Sequence, residues 1–254
     1  MLLTSMIFIP LVGAIIVLLV PRDREDAAKW IAFMVTLIPL FLAVLLYLQY
    51  DPTSVEIQEV VETSWIKAFN IRYHTGVDGL SVTLILLTAL LGPICVGASW
   101  KIEKGIKAYL ALFLLLETGM IGFFCALDLF LFYVFFELTL LPMYFLIGVW
   151  GGPQRMYAAI KFFLYTLFGS VFMLLALLAL YFYSDPHTFS LITLIHTVGS
   201  IDATIWGLNV KYLIWMSLFI GFAIKVPIVP FHTWLPLAHV EAPTAISVIL
   251  AGVL

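Results

Sequence analysis

The sequence predicts an all-α membrane protein, a polytopic bundle of transmembrane helices with a broken seventh helix. Three observations lead there. The 254-residue chain is 64% hydrophobic and 11% charged, against about 45–50% and about 25% in soluble domains. Its apolar residues fall into runs of about 20, the length that crosses a hydrocarbon core. Three of those runs carry a charge, at Glu117, Glu137 and Lys225, and two of the charges are followed closely by proline.

The first run, Leu2–Val20, lacks a basic leading segment and exceeds a signal-peptide core, so it reads as a true span. Six more follow: Trp30–Tyr50, Leu80–Ser99, Ala108–Ala126, Leu129–Trp150, Tyr157–Tyr183 and Tyr212–Pro230. An eighth starts near Pro243 and reaches Leu254 after about twelve residues, too short to cross. Either the chain turns back inside the membrane or it is cut off within that helix; the expectation is the second, an N-terminal portion of a longer chain. The long acidic loop Asp51–Gly79 shows β-branched alternation around Val55–Val61 that suits a hairpin. In the loop Ser184–Val210, Leu191, Leu194, Ile195 and Val198 form a helical stripe, expected to lie flat on the outer surface.

Charge orients the bundle. Arg22, Arg24, Lys29, Lys101, Lys104, Lys107, Arg155 and Lys161 flank one face, and Lys67, Arg72 and Lys211 the other. The positive-inside rule then places the richer face in the cytoplasm and the N-terminus outside. Cys95 and Cys125 fall near opposite faces, out of disulfide reach, and read as plain core thiols. With net charge −3 and no basic arm, nothing points to nucleic acid.

An ionisable side chain at mid-helix costs roughly 2.5–3.5 kcal/mol to insert, so three cost on the order of 9. Charge at that depth points to a proton, an ion or a partner charge. At 1.5 Å per residue, Glu117 lies about 15 Å in from Lys107, Glu137 about 13 Å from Asp128, and Lys225 about 21 Å from Lys211. The three are expected to share a central slab within reach of one another. Pro142 follows Glu137, and Pro227 and Pro230 follow Lys225. Each proline removes a helix hydrogen bond, so the carbonyls of Ala223 and Val226 are expected to be free and to open a polar cavity beside Lys225. Discontinuous helices at mid-depth mark transport sites. Glu137 can modulate the proton affinity of Lys225; the bland alternative is a static buried ion pair that fixes packing. Glu117 reads either as a secondary relay or as a side chain snorkelling into a polar patch.

After the seventh span, FHTWLPLAHVEAPT carries His232 and His239 seven residues apart, followed by Glu241. That spacing does not suit a metal pair. Proton capture at the cytoplasmic mouth and a structural loop of capped helix ends are the two readings. His74, His187 and His196 read as ordinary loop residues. No dinucleotide or Walker glycine pattern, iron–sulfur cysteine set or mid-span histidine pair is present. The chain is expected to hold no cofactor and no metal of its own.

LFYVFFELTLLPMYFLIGVWGG, with Tyr157 and Lys161 after it, and KVPIVPFHTWLPLAHVEAPTAISVILAGVL resemble the antiporter-like proton-translocating subunits of respiratory complex I, and GVDGLS at Gly76–Ser81 fits as well. The resemblance runs across nearly the whole chain. It implies a longer bacterial inner-membrane subunit with two inverted repeats of five helices. Residues 1–107 would form an N-terminal three-helix segment with the acidic loop 51–79 outside, and 108–254 the first repeat, helices four to eight, incomplete in the eighth. It also implies that Glu137 and Lys225 are the essential pair and that Glu117 is the acid of the fourth helix. Leu237 departs from the pattern, standing where many such proteins have Asp. The implied function is proton translocation through a half-channel with a Glu–Lys switch, driven by quinone reduction elsewhere in the complex. The implied partners are the other membrane-arm subunits, neighbouring antiporter-like ones among them, and the bilayer. NADH, FMN, iron–sulfur clusters and quinone belong to the complex and not to this chain. A subunit of a cation/proton antiporter complex is the alternative, and a non-transporting scaffold in a membrane hydrogenase or dehydrogenase complex a weaker one.

Overall fold

At four helices a polar residue just ahead of the apolar run satisfies the first backbone N–H groups. Asp78 and Ser81 form a reciprocal capping box at α3 (Gly79–Ala98), each side chain accepting from the other's N–H at 2.8 Å. Asp128 accepts from the N–H groups of Phe130 and Leu131 at the start of α5 (Leu129–Leu138). Ser190 caps α8 (Leu191–Thr197), and Asn209 caps α9 (Val210–Lys225).

The computed structural model describes residues 1–21, 23–205 and 207–254. Arg22, used above for orientation, lies outside the described residues. The remaining elements are α1 (Leu2–Leu19), α2 (Glu25–Gln49), β1 (Gln58–Ile66), β2 (Ile71–Val77), α4 (Ile106–Cys125), α6 (Leu140–Trp150), α7 (Arg155–Tyr183), β3 (Thr204–Ile205), β4 (Leu208–Asn209), α10 (Trp234–Glu241) and α11 (Thr244–Gly252). Among the described residues, six helical segments are long and apolar enough to cross a membrane, with α5 and α6 together forming one of them. The helical membrane class expected from composition is the class found.

The details differ from expectation in two places. The hairpin strands begin later than the Val55–Val61 alternation suggested, because Asp51–Glu56 turns on its own side chains, with Thr53 N–H and Oγ1–H both donating to Asp51 Oδ1. The seventh apolar run is helical only from Val210 to Lys225. Those 16 residues rise about 24 Å, less than the roughly 30 Å hydrocarbon core.

Packing centres on α4, the most buried span, which lies against α1, α2, α3, α5 and α6. α7 packs on α6, α9 and α10. α7 and α9 cross where Gly169 meets Gly221: a Cβ on Gly221 would lie 3.0 Å from the Gly169 carbonyl, so only glycine lets the backbones approach this closely. Phe168, Leu175 and Phe182 on α7, and Trp215 and Phe219 on α9, point outward as lipid-facing side chains do. The β1–β2 hairpin covers one end of the bundle and is stitched to the α4–α5 connection. Leu127 N–H donates to the His74 carbonyl at 2.9 Å, and Arg72 N–H to Asp128 Oδ2 at 3.2 Å. Leu191 N–H donates in turn to the Leu127 carbonyl at 2.9 Å, so the stripe helix α8 is tied to the same segment.

Candidate functional site

Glu137 and Lys225 both sit at helix ends. α5 stops at Leu138 because Pro142 has no N–H to offer the Leu138 carbonyl, and Thr139 closes the turn with its Oγ1–H on the Phe136 carbonyl at 2.7 Å. Glu137 is half-buried there. Lys225 is the last residue of α9, also half-buried, so its ammonium lies at the negative end of its own helix dipole. Its Nζ stands 4.7 Å from the centroid of Phe136 and 6.0 Å from that of Phe162. Among the described residues the ion pairs within 4.0 Å are Lys29–Asp26 and Arg72–Glu62, and Glu137 and Lys225 form none.

Of the two carbonyls expected to be free beside Lys225, those of Ala223 and Val226, the first is recaptured. Ile228 N–H reaches back five residues to the Ala223 carbonyl at 2.8 Å, a wide π-type turn. The buried indole of Trp234 donates Nε1–H to the Ile224 carbonyl at 2.8 Å. Where the prolines predicted polar surroundings, the structure sets two aromatic rings against the ammonium. An ammonium over a ring face is attracted by about 0.5–2 kcal/mol.

Glu117, expected within reach of the other two charges, makes no hydrogen bond or ion pair with either. It is wholly buried in α4, and neither carboxyl oxygen has a hydrogen-bond partner in the structure. The carboxyl points at α3 and α2: a Cβ on Gly92 would lie 2.6 Å from Glu117 Oε1, and Thr36 borders the same spot. The face of α4 that meets α5 is a different one, where Gly119 and Gly122 admit Thr139 and Phe135.

His232 is exposed on the 3-10 turn 231–233. His239 is part-buried in α10, with Nδ1 2.7 Å from Ser247 Oγ on α11. His74, read as a loop histidine, is buried on β2 with Nδ1 unpartnered. Among the described residues no three His, Cys, Asp or Glu side chains gather as a metal-binding group.

Three residues had no role assigned from the sequence. Phe136 carries no signal that separates it from the other phenylalanines of its run. Asp128, just ahead of an apolar run, carries the usual N-cap signal. Burial pushes its carboxyl above the ordinary range against the pull of the Leu131, Arg72 and Phe130 N–H groups. Glu241 is buried, its Oε2 accepting from Gln154 N–H and its carbonyl from Gly152 N–H, both at 2.8 Å; the Gly151–Gly152 pair was the available hint.

Residues 126–254, which hold Glu137, Lys225, His232, His239 and Glu241, match a family model described as NADH:quinone oxidoreductase/Mrp antiporter, TM. The chain belongs to this family. The NADH:quinone oxidoreductase/Mrp antiporter relatives include NADH-quinone oxidoreductase subunit M of Rickettsia prowazekii, 44% identical over 98% of this chain and 50% of the relative. NADH-ubiquinone oxidoreductase chain 4 of Arabidopsis thaliana is 44% identical over 99% of this chain and 50% of its own length. Respiratory complex I from Thermus thermophilus with bound NADH contains a chain that superposes with TM-score 0.80 at 28% identity, covering 98% of this chain and 49% of that one. The chain thus spans about half the length of each of these three proteins.

Proposed function

We propose that this chain is part of a membrane-arm subunit of a proton-pumping NADH:quinone oxidoreductase, in which Glu137 and Lys225 act as a charge switch within a half-channel. One observation carries the reading. Lys225 Nζ rests on the ring of Phe136, the residue beside Glu137, without an ion pair to Glu137. A half-buried ammonium so placed has two partners to choose between, the ring and the carboxylate. Pairing and unpairing with Glu137 changes the proton affinity of both groups. The helix ends at Leu138 and Lys225 supply places where a small shift can occur.

In this mechanism Lys225 takes protons from the cytoplasmic side and passes them on toward the outside, with Glu117 a secondary group and His232 or His239 assisting uptake. The names of the relatives support the oxidoreductase setting, in which quinone reduction in other subunits supplies the driving force and NADH, FMN, iron–sulfur clusters and quinone reside outside this chain. The basic residues at one end of the bundle support an N-terminus outside the bacterial inner membrane. Residues 108–254 are read as part of the first of two inverted repeats, and neighbouring antiporter-like subunits as partners. The family description also covers Mrp antiporters, so sodium-dependent transport without NADH or quinone is the second reading.

Proton pumping in inverted membrane vesicles from strains carrying full-length Lys225→Ala or Glu137→Ala, with NADH oxidation followed in parallel, tests this. Assembled complex with most of both activities lost is the expected result. Near-normal pumping in either variant would sink the assignment.

A further inference from the structure

α10 is fixed at its start to the carbonyl beside Lys225 and at its end to the loop after α6, the helix that follows Glu137. At its start, buried Trp234 donates to the Ile224 carbonyl at 2.8 Å, one residue from Lys225, and packs on Phe162 at 5.4 Å between ring centroids. At its end, the Glu241 carbonyl accepts from Gly152 N–H and its carboxylate from Gln154 N–H, both at 2.8 Å. A Cβ on Gly152 would lie 2.8 Å from Glu241 Oε2, so this seat is shaped for glycine on one side and the carboxylate on the other. The segment 151–154 directly follows α6, and α6 follows the helix break beside Glu137. The connections therefore run as a chain, Glu137, α6, Gly152, Glu241, α10, Trp234, Ile224, Lys225, which the contact of Lys225 Nζ with the Phe136 ring at 4.7 Å brings back to the residue beside Glu137.

We propose that α10 is a strut coupling the two charge-bearing spans and that Glu241 is its positioning residue; this rests on the reading of Glu137 and Lys225 given above. A displacement of α6 after the Glu137 break is carried through eight residues of helix to the carbonyl beside Lys225. Glu241 transfers no proton in this role. Its side chain holds the Gln154 N–H, so any side chain that presents an acceptor oxygen at the same place serves.

The experiment uses the full-length subunit in the assembled complex and reads protons pumped per NADH oxidised in inverted vesicles. Glu241→Ala is expected to lower the ratio by about two- to thirtyfold, the range spanned by coupling energies of network residues. Glu241→Gln is expected to retain it. Trp234→Phe, which cuts the other end, is expected to lower it similarly, and the Glu241→Ala/Trp234→Phe double variant to be little worse than either single. Equal loss in Glu241→Gln and Glu241→Ala makes Glu241 a proton carrier and overturns the proposal. Additive losses in the double variant, or normal pumping in Glu241→Ala, overturn it too. Should Glu241→Ala fail to assemble, Gly152→Ala presses on the same carboxylate and takes its place. Lys225→Ala runs alongside: normal pumping there removes the reading of the pair, whereas loss there with normal Glu241→Ala removes the strut alone. Amide hydrogen exchange over residues 226–233 gives a readout independent of turnover, and it rises in Glu241→Ala if α10 is held as described.

Discussion

Lys225 holds its Nζ 4.7 Å from the centre of the Phe136 ring, and the residue after that ring is Glu137. The aromatic face and the carboxylate are thus offered from consecutive positions of one helix, whose side chains diverge by about 100°. Phe136→Leu removes the ring and keeps the apolar bulk, so the ammonium loses about 0.5–2 kcal/mol of attraction. The expected outcome is an assembled complex with pumping reduced by about two- to thirtyfold for such an energy, and with Phe136→Trp close to the parent, since indole is the better cation partner. Pumping rates at equal complex content check this. Leu and Trp variants of equal rate would show that the ring is only packing.

Glu117 and Gly92 make a second test. A buried carboxyl with no hydrogen-bond partner is a cost that an apolar side chain of similar volume avoids. Glu117→Met is therefore expected to raise the thermal midpoint of the solubilised complex, with about 1–3 kcal/mol gained locally. Gly92→Ala puts a methyl group 2.6 Å from Glu117 Oε1 and is expected to lower the midpoint, with overpacking of about 1–3 kcal/mol. Combining Gly92→Ala with Glu117→Ala is expected to restore much of that loss, because the methyl group then enters vacated space. A midpoint that falls in Glu117→Met would mean that the carboxyl is satisfied by a partner the protein gains in its complex.

These two sites mark how far the sequence could be read. Lys225, Glu137 and Glu117 were legible because a charge in an apolar run of that length has few explanations. Their arrangement was not. Depth along each helix follows from counting residues, but the face on which a side chain emerges depends on the neighbouring helix. Gly92 and Thr36 open space for Glu117 on the α2–α3 side, whereas Gly119 and Gly122 bring α5 against another face. At Ala223 the helix is not ideal up to the break: the chain widens by one residue and lets Ile228 recapture the carbonyl that proline leaves free in an ideal helix. Trp234 fills the next carbonyl from nine residues beyond Lys225, a contact that no local pattern announces. The hairpin was placed too early because β-branched alternation does not register the competing Asp51 turn.

The hairpin offers a pH test outside the membrane-spanning helices. Arg72 is hydrogen-bonded to Glu62 across the strands, and this bond, more than any other influence, holds the Glu62 carboxyl below the ordinary carboxylate range. A lowered folded-state value means the carboxylate form is preferred when folded. The stabilisation is therefore fully present above the unfolded value of about 4.3 and is lost as pH falls through the lower folded one. Both side chains are nearly half exposed, so solvent screening limits the contribution to about 0.2–1 kcal/mol. Amide exchange protection of Ile71–Val77, corrected for the intrinsic pH dependence of exchange, is expected to be flat from neutrality down to about pH 5 and to fall only below the ordinary glutamate range. Glu62→Gln is expected to flatten that acid limb and to leave a hairpin slightly less protected at neutral pH. An acid limb that persists unchanged in Glu62→Gln would move its origin to another carboxylate of the same surface. Asp128 does not fit that role: its carboxyl is raised by burial, so protonation in acid acts in the opposite sense and favours the folded state between its unfolded and folded values.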